Sequence, residues 1–502
     1  MKSEAKINEP RDASAVVLLN QEQTKVLWAQ RNPNIKFLGG WHAFPGGKVE
    51  TSDGEIAVKN CEDKNLEKFI VAAVRECFEE VGVLLVRNGE KLTKGQRASL
   101  HSDLVSGVFS FAEILADWNL QIDARDFSYA GFWTTPPFSP VRFKTRFFLV
   151  VCPAKQQPFA AVSEMRNVEF IEPNDALKRW KNSEVLISPP VLTALQTLAK
   201  FSMRGGENLL EKSQICNGNI DFIELNAHTI CFPVKIETLP PATHTNCFIV
   251  GREKFVVIDA AAKDADERRK LFALVDSFIE KGFLCDAIIV SHLHKDHIGG
   301  ETILQKHLRD KFGLEISLSA HRLTAESLRN EVKIEKFIED GEVFQLKDGR
   351  GESFEIKALH TPGHARGLLA FYDEAFGFLL SGDNVIDSGS VLIAPPEGDM
   401  IDYLSSLERL KNLPNLKFLC GSHGAAVFDA RGKIENYIEH RLERERKIVS
   451  AIAIGAKTVR EIVEKVYADT SPELWKLAEK SVEAHLKKLE AEGKSLNFSS
   501  AN

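Results

Sequence analysis

Ser291-His292-Leu293-His294-Lys295-Asp296-His297-Ile298-Gly299-Gly300 sets three imidazoles and a carboxylate within six residues, and His364, Asp383 and His423 follow along the chain. Imidazole nitrogens mixed with carboxylate oxygens suit Zn²⁺ or a similar transition metal. The apolar run Ala287-Ile288-Ile289-Val290 ahead of them reads as a strand. Alternation beyond its end puts His292 and His294 on one side, where both reach one ion, while Asp296 and His297 start the next turn and can hold a second. Two ions sharing a carboxylate and a hydroxide lower the pKa of water towards ~7, which makes a hydrolytic nucleophile at neutral pH. A single histidine is more often a packing residue; four potential ligands in six residues, closed by Gly299-Gly300, are not explained that way.

A second, chemically different cluster lies earlier. Glu76, Glu79 and Glu80 stand at i, i+3 and i+4, so a helix shows all three carboxylates on one side. Clustered carboxylates repel unless a cation neutralises them, and hard oxygen donors suit Mg²⁺ or Mn²⁺. Gly46 and Gly47, after Pro45, permit a tight loop whose backbone approaches a metal or a phosphate. Arg75 can orient a carboxylate by a forked ion pair, and Gly82 ends or kinks the helix. Taken alone, Arg-Glu-x-x-Glu-Glu is usually a solvated helix face; the glycine loop and the Gly82-Val83 ending favour a site.

The elements that must position these groups are visible in the hydropathy. Ser14-Ala15-Val16-Val17-Leu18-Leu19 and Phe147-Phe148-Leu149-Val150-Val151 predict strands, and Val191-Leu192-Thr193-Ala194-Leu195 after Ile187-Ser188-Pro189-Pro190 predicts a loop and closing helix. Met203-Arg204-Gly205-Gly206-Glu207-Asn208 is the expected first linker. A second α/β region follows, with strands at Asn246-Cys247-Phe248-Ile249-Val250 and Phe255-Val256-Val257-Ile258-Asp259. Beyond Gly432 the chain turns helical and charged. Thr458-Val459-Arg460-Glu461 has the form of a capping box, and Ser471-Pro472 opens another helix. The expected division is residues 1–205, a linker at 206–222, a hydrolase domain at 223–432 and a helical tail at 433–502.

At 502 residues, with 44% hydrophobic and 27% charged residues, the composition is that of a soluble multi-domain protein. No apolar run nears the ~18 residues of a membrane span, and Met1-Lys2-Ser3-Glu4-Ala5-Lys6 lacks a secretory pattern. Eight cysteines without CxxC spacing favour a reduced, cytoplasmic setting. A net charge of −7 argues against non-specific grip on nucleic acid by the whole molecule.

The glutamate cluster resembles the Nudix box. Gly47, Arg75, Glu76, Glu79, Glu80, Gly82 and Val83 match it, Cys77 fills an aliphatic place, and Asp53 falls where the first Glu belongs. The box is long: 21 residues separate Asp53 from Arg75 where the family usually has seven. With Trp41-His42-Ala43-Phe44-Pro45-Gly46-Gly47 before it and Arg142-Phe143-Lys144-Thr145-Arg146-Phe147-Phe148 ahead of Glu164, it looks like the branch that includes CoA diphosphatases. The resemblance implies an α/β/α sandwich over roughly residues 12–200 that cleaves a nucleoside-diphosphate-linked substrate with Mg²⁺ or Mn²⁺. Glu76, Glu79 and Glu80 become ligands and catalytic groups; Glu164 is a ligand, a base or a surface residue.

The histidine cluster is similar to the metallo-β-lactamase superfamily motif, whose later elements appear in order as His360-Thr361-Pro362-Gly363-His364, Ser381-Gly382-Asp383 and Gly421-Ser422-His423-Gly424. The resemblance implies an αββα fold. It assigns His292, His294 and His364 to one metal, Asp296, His297 and His423 to the other, and Asp383 to both, with Asp296 also catalytic and Asp259 supporting from a strand end. The glycine usual after that aspartate is replaced by Ala260, and His360 is either a supporting residue or a packing residue. Ala484-His485-Leu486-Lys487-Lys488-Leu489-Glu490-Ala491-Glu492-Gly493-Lys494 looks like the winged-helix tail of the lactamase-β-like branch, which holds endoribonucleases, while glyoxalase-II-type thioesterases share the ligands. The expectation is a bifunctional hydrolase acting on a nucleotide-type small molecule and on a (thio)ester or phosphodiester. The alternative is a single-strand RNA endonuclease regulated by a nucleotide-binding Nudix domain.

Overall fold

The computed structural model describes residues 9–494 except Lys36, Pro140, 161–163, 203–219 and Pro241. The N-terminal hexapeptide and the first linker read from the sequence lie outside the described residues, as do Ser495 and Leu496. The chain forms two compact units, Met1–Asp221 and Phe222–Asn502.

In the first unit the two expected apolar runs form the strands Arg11–Leu19 and Phe143–Val151, paired in parallel from Arg11↔Phe143 to Leu19↔Val151. They lie at the centre of a seven-stranded sheet. Gly46–Lys48 pairs antiparallel with Arg11–Leu19, which fixes the glycine loop against the sheet. The helix Glu67–Val81 buries Phe69, Ile70, Val74, Cys77 and Phe78 against Val16, Leu18 and Phe148. Burying one such side chain is worth about 1.5–3 kcal/mol. That packing leaves the face carrying Glu76 and Glu79 half-buried. Gly82 ends the helix in the left-handed conformation (φ 67°), with its N–H on the Phe78 carbonyl. The closing helix is Pro189–Ser202; it begins at the first proline, which the first turn tolerates because the N–H that proline lacks has no intrahelical acceptor at that position.

In the second unit twelve strands are linked by continuous hydrogen bonding that branches at Lys254–Ile258. One side of the branch, through Leu284–Val290, packs with the helices Ala265–Ile279 and Glu301–Phe312. On the other, strands through Phe378–Gly382 and Phe418–Gly421 pack with Met400–Lys411 and the start of Ala430–Ala453. The helix Ala430–Ala453 then enters a third core with Val459–Val466 and Trp475–Ala491. Thr458 caps as expected, accepting the Glu461 N–H at 3.1 Å. The return bond differs: the Glu461 carboxylate accepts from the Lys457 N–H at 2.7 Å, one residue before the cap. Pro472 opens a 3₁₀ turn that leads into Trp475–Ala491.

Candidate active sites

His292 and His294 sit on the loop after Leu284–Val290, and Gly299 and Gly300 let that loop close against its neighbour. A Cβ on Gly300 would meet the Ala260 carbonyl oxygen at 2.2 Å. Ala260, where a glycine is usual, is fully buried, and Asp259 before it takes the left-handed conformation, with φ 56°. The fold gathers the expected histidines and aspartates into two groups: His292, His294, His364 and Asp383; and Asp296, His297 and His423. Within each group one donor atom per residue lies within 4.8 Å of all the others.

The outer nitrogen of most of these rings is fixed, which leaves the inner one aimed at the centre. His292 Nδ1–H donates to Ser291 Oγ at 3.0 Å, and Ser291 Oγ–H donates to Asp259 at 2.6 Å. His297 Nδ1 is 2.8 Å from the same Asp259 oxygen. His364 and His423 donate from Nδ1 to the carbonyls of Leu392 and His244, each at 2.8 Å. Such partners select the tautomer and orientation a ligating imidazole needs. Burial holds the His292 imidazole well below its ordinary pKa and brings His294 down to about 4, so both are neutral donors at physiological pH. One Asp383 oxygen faces His364 Nε2 at 3.3 Å and His297 Nε2 at 3.7 Å, and the other faces His423 Nε2 at 3.6 Å. His297 Nε2 and Asp383 Oδ1 are fully buried without a hydrogen-bond partner, an arrangement costly in a protein interior. A pair of transition-metal ions fits these donors.

His360 stands apart. Its ring stacks on His321 at 3.9 Å and bonds the Arg366 carbonyl at 2.8 Å, so it packs the loop. Thr238 went unrecognised in the sequence; its hydroxyl donates to Asp296 across 58 residues, which no local pattern signals. The Leu392 and His244 carbonyls are backbone groups and carry no signal at all.

In the first unit Arg75 organises the carboxylates. Its Nε and Nη2 grip buried Asp53 in a fork at 2.9 and 3.0 Å, and Nη1 reaches Glu76 at 3.0 Å and Glu79 at 3.1 Å. Asp53, at the far end of the long insertion, therefore anchors the arginine. Glu80 accepts the Gly46 N–H at 2.8 Å, and a Cβ on Gly47 would meet the Glu76 carboxylate at 2.4 Å. The glycine pair is thus a cradle cut to these side chains. Glu164 is exposed, yet its charge reaches both Glu76 and Glu80. Glu76, Glu79 and Glu80 converge less tightly than the histidine groups: among the described residues they form no set within 4.8 Å. Burial, only partly offset by Arg75, pushes the Glu76 carboxyl up to about 7; burial also raises Glu79, and raises Glu80 well above the carboxylate range. All-oxygen donors whose ionised form needs a counter-charge fit a hard divalent cation.

A pH test follows. A carboxyl raised by folding stabilises the metal-free unit fully below its unfolded pKa, and that stability is lost as pH rises through about 7. The first unit should therefore melt lower at pH 8 than at pH 5.5, and millimolar Mg²⁺ should restore the difference at pH 8. Tryptophan fluorescence reads this unit, which holds Trp28, Trp41, Trp118, Trp133 and Trp180 of the six tryptophans. A melting point rising with pH in the metal-free protein would contradict the assignment of these shifts.

The folds and the two centres define a metal-dependent hydrolase. More particularly, the chain joins a Nudix domain to a metallo-β-lactamase domain with a C-terminal winged helix. Residues 64–198 match the NUDT19 Nudix domain, 240–423 the Metallo-beta-lactamase superfamily and 458–496 the Beta-lactamase associated winged helix domain. Its relatives include the Beta-lactamase-like protein 2 homolog of Drosophila melanogaster, 28% identical over 50% of this chain and 83% of that protein. Putative nudix hydrolase 7 of Caenorhabditis elegans is 29% identical over 44% of this chain and 72% of that protein. Atrochrysone carboxyl ACP thioesterase of Aspergillus chevalieri is 29% identical over 46% and 69% respectively. No helix among the described residues is long and apolar enough to cross a membrane.

Proposed function

We propose that the protein is a bifunctional hydrolase with two independent centres. The first cleaves a nucleoside-diphosphate-linked small molecule with Mg²⁺ or Mn²⁺, and the second cleaves a small ester or thioester with two Zn²⁺ or similar ions. The observation that carries this reading is the convergence of all seven expected donors in the second unit, each group within 4.8 Å. In the second centre His292, His294 and His364 would hold one ion, Asp296, His297 and His423 the other, and Asp383 both. Bound there, the ions supply Lewis acidity and a water acidic enough to attack at neutral pH. Asp296 has one oxygen tied to Thr238 and the other 3.9 Å from His297 Nε2. We assign that second oxygen, Oδ1, to accept the proton released as water attacks. In the first centre Glu76 and Glu80 would hold the cation, while Arg75, anchored by Asp53, keeps Glu79 placed beside Glu76.

A thioester is preferred over RNA for the second centre because the helical tail presents paired charges. Arg460 bonds Glu464 and Glu479, Lys480 bonds Glu483, and Lys447 bonds Glu443. A thioesterase among the relatives supports the same choice. Deleting residues 455–502 should therefore lower stability, since Ala484 packs in the hydrolase core. Hydrolysis of acyl-CoA substrates by the full chain should change little between about 50 and 200 mM salt, where multi-contact nucleic-acid binding falls ~10³-fold or more. Multiple-turnover cleavage of single-stranded RNA, abolished by His294→Ala and steeply salt-dependent, would overturn the preference.

A further inference from the structure

Three of the seven donors of the second centre lie outside the His292–His297 loop, and one segment touches all three. Residues 384–392 begin beside Asp383 and end at Leu392, whose carbonyl orients His364. Midway, the Asp387 N–H reaches the His423 carbonyl at 3.4 Å. A single face of the helix Ala430–Ala453 grips this segment from outside the cluster. Lys433 Nζ donates to the Asp387 carbonyl at 2.6 Å. The Tyr437 hydroxyl donates to the Gly389 carbonyl at 2.9 Å and accepts the Ile386 N–H at 3.3 Å. The Arg441 guanidinium, only 3% exposed, donates to Ser390 Oγ at 2.8 Å and to the Val391 carbonyl, next to Leu392. The spacing i, i+4, i+8 keeps the three on one stripe. One turn further, Glu445 is bound by Lys488 at 2.9 Å and His485 at 3.3 Å, both on the C-terminal helix Trp475–Ala491.

We propose that Lys433, Tyr437 and Arg441 are positioning residues of the dinuclear centre, and that through them the winged-helix module sets the geometry of Asp383, His364 and His423. The module is in this view a buttress of the hydrolase. This inference rests on the metal reading of the second centre. Loosening the stripe should loosen three ligands and leave the His292–His297 loop in place, since Asp259 and Ser291 hold that loop. Loss of a group that bonds a ligand directly typically changes metal affinity by about 10–100-fold, and the stripe holds the backbone that carries such groups for His364 and His423.

The test compares zinc-loaded full-length protein with Tyr437→Phe, which removes one hydroxyl, and Arg441→Lys, which keeps the charge but loses the guanidinium Nη2 that bonds both Ser390 and Val391. Arg444→Gln serves as control, because Arg444 bonds the Val466 carbonyl and Asp469 instead. Both stripe variants should surrender zinc at a chelator concentration about 10-fold lower than wild type. Amide exchange should rise in 384–392 and stay unchanged in 291–300, while the control matches wild type in both. Folded stripe variants that retain zinc as wild type does, or whose exchange rises equally in both segments, would overturn the proposal. Wild-type protein that binds two zinc ions yet cleaves no ester would contradict the proposed substrate class alone and leave this inference standing.

Discussion

Asp383→Asn should abolish the second hydrolytic activity, by more than about 100-fold, and reduce bound transition metal towards one ion or none per chain. Its carboxylate faces imidazoles of both groups, at 3.3 Å to His364 and 3.6 Å to His423, so this side chain is placed to serve both ions. Asparagine keeps the shape and one oxygen but removes the charge that two cations need between them. His292→Ala or His294→Ala removes a neutral donor from one group only and should cost that ion first. Elemental analysis of the purified variants reads the outcome. Unchanged metal content in all three would rule out the donor assignment.

The second large effect belongs to the other unit. Glu79→Gln should lower Mg²⁺- or Mn²⁺-dependent diphosphate cleavage by about 100- to 1,000-fold, the range for losing a charged group that acts on the reacting centre. Glu79 is the most exposed of the three glutamates and is held by a single Arg75 contact at 3.1 Å. The swap should therefore leave the fork between Arg75 and Asp53 intact. Melting should move little, which distinguishes loss of chemistry from loss of fold. A variant that keeps full diphosphatase activity would transfer the role to Glu76, Glu80 or Glu164.

Both centres were legible in the sequence to different depths. In the second, His292, His294, Asp296 and His297 were read from side-chain types, because a metal needs particular donor atoms and one short loop holds four of them. The roles of His364, Asp383 and His423 came from the motif order of the family the chain resembles. The first was legible in its helix, where i, i+3, i+4 spacing and Gly82 behave as the periodicity requires. The role of Asp53 was not legible. Its function depends on a buried fork to Arg75 formed by a fold that closes 22 positions, and a carboxylate one methylene short gives no hint of this. For His360 the sequence left a supporting and a packing role open, since adjacency to the Thr-Pro-Gly-His run says nothing about which way a ring turns; its stacking on His321 is the packing role. The carbonyls of Leu392 and His244 and the hydroxyl of Thr238 complete the centre from distant segments. Such contacts emerge from tertiary packing and leave no local pattern.

The central claim is that one chain carries two separable hydrolytic centres. It is tested most directly by assaying both activities side by side in wild type, Glu79→Gln and His294→Ala, using a nucleoside-diphosphate-linked substrate with Mg²⁺ and an acyl thioester with the zinc-loaded protein. The account predicts that Glu79→Gln loses diphosphate cleavage and keeps thioester hydrolysis, and that His294→Ala does the reverse. Equal loss of both activities in either folded variant would contradict it.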